Sequence, residues 1–165
     1  MISKKIQDAF NDQMNAEMYS SYLYMAMAAY CESVNLRGMA RWLSVQGQEE
    51  WTHGMKFYEH LIDRGGRVQL KAIDAPPLEW DSPETVFEAV LAHERKVTAR
   101  IHKLVELAQA GKYPAAGVFL QWFVSEQVEE EAHAQEVLAK VKMVAGVPGP
   151  LLTLDQQLGG RKAGD

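Results

Sequence analysis

The sequence predicts an all-α protein, a four-helix bundle with one long crossover, and three observations carry that expectation. Apolar residues recur at helical spacing along nearly the whole chain, with no strand-like alternation. Punctuation by glycine, proline and asparagine is sparse and cuts the chain into four long segments. Of the three connections between these segments, the first and last are short and the middle one is long.

The first helix is expected over about 3–34, ending at the Asn35 break, and the second over about 37–64. Ser82-Pro83-Glu84 opens the third, at about 83–110, with a capping hydroxyl, a proline at the first helical position and an acid in the first turn. Gly111 to Pro114 makes the next turn, and the fourth helix runs over about 115–145. Gly111 and Gly146 stand where C-terminal helix glycines belong. After the break at Gly146 to Pro150, Leu151 to Leu158 has the leucines for a short fifth helix. The domain expectation is therefore a bundle over 1–146 with a short helix and tail over 147–165. Short connections make antiparallel hairpins of helices one and two and of helices three and four. The 18 residues from Gly65 to Ser82 could reach roughly 59 Å when extended. That exceeds the roughly 42 Å of a long helix, so the connection can cross the bundle lengthwise.

Composition narrows the function. Seventeen Lys and Arg against 22 Asp and Glu give a net charge of −5, with no basic run, which argues against a nucleic-acid binder. No apolar stretch is long enough to span a bilayer, and the opening MISKKIQDAF turns polar too soon for a signal peptide. A lone Cys31 excludes a disulfide framework and a Cys-rich zinc or iron–sulfur site. The expectation is a soluble, cytoplasmic protein that binds neither nucleic acid nor membrane.

The buried stripes carry the chemistry. In the first helix the stripe reads Ile6, Phe10, Gln13, Glu17, Ser20, Tyr24, Ala28, and in the second Met39, Leu43, Gln46, Glu50, His53, Phe57, His60. The third reads Phe87, Leu91, Glu94, Val97, Ile101, Leu104, and the fourth Phe119, Phe123, Gln127, Glu130, Ala134, Val137, Val141. Every helix sets an acid into its own apolar stripe near mid-length. The mean of positions 17 and 53 falls on Asn35, and the mean of 94 and 130 falls inside the Gly111–Pro114 turn. The polar intrusions of each hairpin therefore lie at one height. Buried carboxylates lose several kcal/mol of solvation each and repel one another, and the stripes hold no Lys or Arg to neutralise them. Cations are the remedy. Glu50 and His53 form a Glu-x-x-His pair on one face, and oxygen-rich ligation with little nitrogen and no sulfur favours iron or manganese over structural zinc.

At these residues the chain resembles the bacterial non-haem ferritins. The resemblance rests on Glu17 with Tyr24 and Tyr30, on QEEWTHG from Gln48 to Gly54, on His93-Glu94, and on FLQWFVSEQVEEE from Phe119 to Glu131. It extends to about Leu158, while Gly159 to Asp165 shows no usable pattern. It implies a ferritin-like bundle in which Glu17, Glu50 and His53 hold a first iron, with Glu50 bridging, and Glu94 and Glu130 hold a second. Gln127 would hydrogen-bond beside that second position. Glu49, Glu126 and Glu129 resemble a third, weaker iron site, although solvated helix-surface charge fits some of them as well. Tyr24 matches a tyrosine near the centre, as an electron donor or as a core tyrosine with its hydroxyl satisfied.

Departures from the wider family refine the expectation. Where bacterioferritins carry a second Glu-x-x-His on the fourth helix, this chain has Gln127 and Glu130, and their haem-ligating methionine would fall at Thr52, so no haem is expected. A centre with one histidine holds its second iron loosely, which suits iron as a substrate in transit. Glu130 and His133 are formally another pair, but the family pattern does not use that position, and a surface role is expected for His133. His60 is expected as a satisfied interior histidine, and His93 and His102 as surface residues. The implied activity is a ferroxidase: Fe(II) is oxidised by dioxygen and stored as ferric mineral inside a homo-oligomeric cage of 24 chains. Trp42, Trp80 and the apolar tail residues fit either an interface or an ordinary core. The main alternative is a stoichiometric di-iron oxidase or peroxidase with iron as cofactor. A mini-ferritin of the DNA-protecting type is disfavoured, because its ligands lie across a subunit interface.

Overall fold

In the computed structural model, which describes residues 2–164, the chain folds into five helices with no strand among the described residues. They are α1 (Lys4–Ser33), α2 (Arg37–Asp63), α3 (Pro83–Ala110), α4 (Pro114–Val144) and α5 (Pro148–Leu158). Two compact units result, one holding α1, α2, α5 and the connection after α2, the other holding α3 and α4. No described helix is long and apolar enough to cross a membrane.

In the first unit the Ser3 hydroxyl caps α1 by accepting from the Ile6 N–H, and Asn35, at φ 64°, takes the left-handed residue of the α1–α2 turn. Contacts between the two helices straddle that turn. Phe10 meets Phe57 edge-on at 5.2 Å, the Ser21 hydroxyl donates to the Gly47 carbonyl at 2.7 Å, and the Ile2 N–H donates to the Arg64 carbonyl at 3.1 Å. The pair is antiparallel, as the sequence predicts.

The long connection runs beside α1, and a ladder of side-chain amides holds it there. Gln7, Asn11 and Asn15 lie one helical turn apart and meet residues 67, 69 and 71 of the extended segment. Asn11 donates to the Arg67 carbonyl (3.0 Å) and accepts from the Gln69 N–H (2.6 Å); Asn15 donates to the Gln69 carbonyl (2.9 Å) and accepts from the Lys71 N–H (2.8 Å). Gln7 accepts from the Arg67 N–H at 2.9 Å. Four helical residues rise about 6 Å and two extended residues about 6.6 Å, so the two repeats stay in register over this span. Further along, Trp80 packs against Tyr30 at 5.7 Å near the far end of α1. The connection thus traverses the length of α1.

The start of α2 has no cap of its own: Leu36 offers no side-chain acceptor. Asp155, on α5, supplies one, with Oδ2 accepting from the Gly38 N–H at 3.1 Å and Oδ1 from the Met39 N–H at 2.7 Å. The approach is so close that a Cβ on residue 38 would lie 1.6 Å from the Asp155 carbonyl oxygen, so only glycine fits. α5 itself begins at Pro148, three residues before the expected Leu151, because proline is tolerated in a first turn whose N–H groups lack intrahelical partners. Cys31 is buried nearby. Burial, with Asp155 and Glu32 adding repulsion, pushes its thiol up to about 12, so it stays protonated and inert.

In the second unit α3 starts with a full capping box between Ser82 and Thr85 and with Pro83 in the first turn. Lys142 pairs with Glu88 at 3.0 Å and Gln127 bonds Thr98 at 3.2 Å, contacts that again straddle the turn of an antiparallel hairpin. Gly111 caps the C-terminus of α3, as the sequence predicts, but it is right-handed, at φ −78°, and the following Lys112 carries the positive φ of 50°. Gly146 follows the α4 cap, also as predicted, and its φ is 74°. Nearly all the stripe residues are buried; His60 and Phe119, near the helix ends, are half-buried.

Candidate metal centre

Glu17, Glu50 and His53 come together because α1 and α2 are antiparallel about Asn35 and each carries its polar intrusion at matching height. Their exposures are 1%, 0% and 4%. One ligand atom from each can be chosen so that all three lie within 4.8 Å of one another. Glutamines one turn upstream steady both acids: Gln13 Nε2 donates to Glu17 Oε1 at 2.6 Å, and Gln46 Nε2 donates to Glu50 Oε1 at 3.3 Å. His53 Nδ1 lies 3.6 Å from Glu50 Oε2, an electrostatic contact too long for a hydrogen bond.

The electrostatics are unbalanced. Glu17 Oε2 is buried and accepts no hydrogen bond, which costs about 1–3 kcal/mol for a neutral group and more for a charged one. Burial first, and then repulsion from Glu50, drive the Glu17 carboxyl well above the usual carboxylate range, while His53 and Gln13 pull it down only in part. Two facing carboxylates can bond only through a proton held between them, and a cation coordinated by both would serve in its place. Two carboxylates and one imidazole suit a first-row divalent or trivalent ion that accepts mixed oxygen and nitrogen ligands. The donor set therefore fits iron.

On the second hairpin Glu94, Gln127 and Glu130 are buried. Gln127 Nε2 lies 3.2 Å from each of Glu94 Oε2, the Glu94 carbonyl oxygen and Thr98 Oγ1, so its amide spans α3 and α4. Tyr24 is fully buried on α1, Glu126 is half-buried and Glu129 is exposed. Glu49 lies on α2 beside Glu50, where its carboxylate meets the chain's C-terminal segment: Arg161 Nη2 donates to Oε2 at 2.7 Å and the Gly164 N–H to Oε1 at 3.0 Å. The sequence offered no signal for this. Arg161 stands alone in a stretch without periodicity, and only the fold brings it to α2.

The other histidines differ among themselves. His133 and His102 are exposed. His60 is half-buried against Phe10, ring centroids 5.5 Å apart, and burial and Arg64 lower its pKa. His93, expected at the surface, is half-buried; burial and then Lys96 bring it down to about 4, so it is neutral at pH 7. Its position at the edge of the α3 stripe, next to Glu94, explains the difference.

Residues 7–144 match the family model of the ferritin-like domain. The chain belongs to the ferritins. It is 45% identical to a bacterial non-heme ferritin of Bacteroides fragilis, over 98% of this chain and 100% of that protein. A bacterial non-heme ferritin of Staphylococcus aureus is 37% identical over 98% of this chain and 97% of its own length. Among solved structures, the open pore ferritin of the hyperthermophilic archaeon Archaeoglobus fulgidus superposes with a TM-score of 0.97 at 49% identity, over 98% of this chain and 99% of that one. The fold class is thus that of the ferritins, as the sequence predicts, and the function that accompanies it is iron storage with oxidation of iron.

Proposed function

We propose that this ferritin oxidises Fe(II) with dioxygen at a di-iron ferroxidase centre inside one chain, and deposits the ferric product as mineral within a shell of 24 copies in the cytoplasm. Iron is the substrate and cargo. Glu17, Glu50 and His53 take one Fe(II), Glu94 and Glu130 take the other, and Glu50 bridges. Gln127 holds the Glu94 carboxylate through its amide, and Tyr24 stands by as an internal electron donor. Each Fe(II) gives up one electron. Dioxygen takes both, with two protons from water, and leaves as hydrogen peroxide. Pairing the irons delivers two electrons in one event and avoids releasing superoxide. The carboxylates favour the ferric product, because the added positive charge offsets more of their mutual repulsion.

The observation that carries this reading is the Glu17 carboxylate: buried, beside Glu50 and His53, with one oxygen lacking any donor. A packed core has no use for such a group, whereas a centre that loads and releases cations needs it. The storage half of the reading is tested by adding several hundred Fe(II) per assembly in air and measuring iron that co-elutes with protein on size exclusion. Twenty-four chains of 18.5 kDa make a particle of about 440 kDa, and hundreds of irons eluting with it are expected. About two irons per chain on a small species would overturn storage in favour of a cofactor-type di-iron enzyme.

A further inference from the structure

The C-terminal segment after α5 ends on α2. Gly159 closes α5, and its backbone approaches Gly38 so closely that a Cβ at residue 159 would lie 3.1 Å from the Gly38 Cα. From there the segment reaches Glu49, where the Arg161 guanidinium makes four contacts. It donates to Glu49 Oε2 at 2.7 Å, to Gln46 Oε1 at 2.9 Å and to the Trp42 carbonyl at 3.3 Å, and its carbon lies 4.4 Å from the centre of the Trp42 ring. The Arg161 side chain is only 8% exposed and that of Glu49 19%. The Gly164 N–H takes the remaining Glu49 oxygen. This is a charge-assisted site with both carboxylate oxygens satisfied and the cation stacked on an aromatic face, unlike a loose surface pair.

We propose that Arg161 is the resident cation of the Glu49 position and so sets how many iron ions each chain binds. This rests on the reading of Glu17, Glu50 and His53 as iron ligands. By resemblance Glu49 belongs to a third iron position, but here its charge is already balanced by a tethered, desolvated guanidinium. A third ion would have to displace Arg161 and the Gly164 N–H together and leave a cation without its anion over Trp42. The same guanidinium holds Gln46 by its oxygen, which turns the Gln46 amide nitrogen toward Glu50 Oε1 at 3.3 Å. Arg161 is in this sense a positioning residue: it closes the outer carboxylate and orients the partner of the inner one.

The test counts metal on the assembled, metal-free protein, dialysed without oxygen against cobalt(II) as a redox-stable stand-in for Fe(II). Arg161→Gln is expected to bind about one ion per chain more than the native protein, and Arg161→Gln with Glu49→Gln to lose that increment. Glu49→Gln in the native background is expected to leave the count unchanged. Equal counts in native and Arg161→Gln protein, or the loss of about one ion per chain in Glu49→Gln alone, would overturn the proposal. Should Arg161→Gln fail to assemble, the Glu49→Gln arm decides the matter. Glu50→Ala removes ions in both backgrounds and so reports separately on the Glu17–Glu50–His53 reading.

Discussion

The two hairpins carry the same motif, an acid in the middle of each apolar stripe, and they accommodate it differently. On α3–α4 a neutral amide, Gln127, is built into the core to donate across to Glu94, with Thr98 as its third acceptor. On α1–α2 each acid has a glutamine one turn away, but the acids face each other and the buried Oε2 of Glu17 has no donor. Both hairpins hand a carboxylate a hydrogen bond, and α1–α2 besides leaves a buried Glu17 oxygen without a donor. On the proposed reading that oxygen is where a cation has most to gain, so that α1–α2 is the hairpin that demands the metal and α3–α4 the one whose amide steadies a ligand.

Removing ligands should break this contrast most visibly. Glu50→Ala with His53→Ala takes away one of the facing acids and the only imidazole of the cluster. The initial rate of oxygen consumption with Fe(II) is expected to fall by about a hundredfold or more. An unchanged rate would remove Glu50 and His53 from the centre. Gln127→Leu leaves all proposed ligands in place and deletes only the amide between α3 and α4. A loss of about tenfold is expected, in the range for a group that orients a ligand without touching metal. If the two variants proved equally damaged, the division of labour between the hairpins would be wrong.

How much of this was legible in the sequence depends on the range of the interaction. The stripes, the hairpin pairing and the equal heights of Glu17 with His53 and of Glu94 with Glu130 follow from a local period and from two short turns, and the structure buries those residues as the period dictates. The cap on α2 was not legible, because Asp155 lies more than a hundred residues away and Leu36 gives no sign that it is replaced. Arg161 was hidden for the same reason. His93 was misjudged because period alone places it at the stripe's margin, and half-burial beside Lys96 is a property of packing.

The stability of the metal-free protein offers a sharper test of the donorless Glu17 oxygen on α1–α2. The Glu17 carboxyl titrates well above its unfolded value, so its contribution is present below the usual carboxylate range and is lost as pH rises through the raised folded value. At neutral pH the buried Glu17 carboxyl therefore destabilises the metal-free fold. Glu17→Gln keeps the shape and removes the ionisable group. Calorimetry should show a Tm for Glu17→Gln several degrees above native at pH 7 without metal, and a gap that narrows as pH falls toward 4.5. Added Fe(II) under nitrogen should reverse the order, since native protein gains binding energy that the variant lacks. A native protein that outlasts the variant without metal at pH 7 would show that Glu17 is satisfied by some other route.

The smallest effect belongs to the turns that set the two hairpins in register. Each turn needs one left-handed residue: Asn35 at φ 64° in the first and Lys112 at φ 50° in the second. Asparagine tolerates that region through local hydrogen bonding of its short side chain, whereas lysine bears the steric cost of its Cβ against the backbone, about 1–2 kcal/mol. Gly111 beside it is right-handed and gains nothing from being glycine on that ground. Lys112→Gly should therefore stabilise the protein by up to about 1 kcal/mol, since part of the relieved strain is returned as backbone entropy lost on folding. Asn35→Gly should be nearly neutral or mildly destabilising, because the strain it would relieve is already small. Urea unfolding of both variants at constant m-value separates them. If Lys112→Gly gains no more than Asn35→Gly, the second turn is as relaxed as the first, and the hairpins differ at their centres alone.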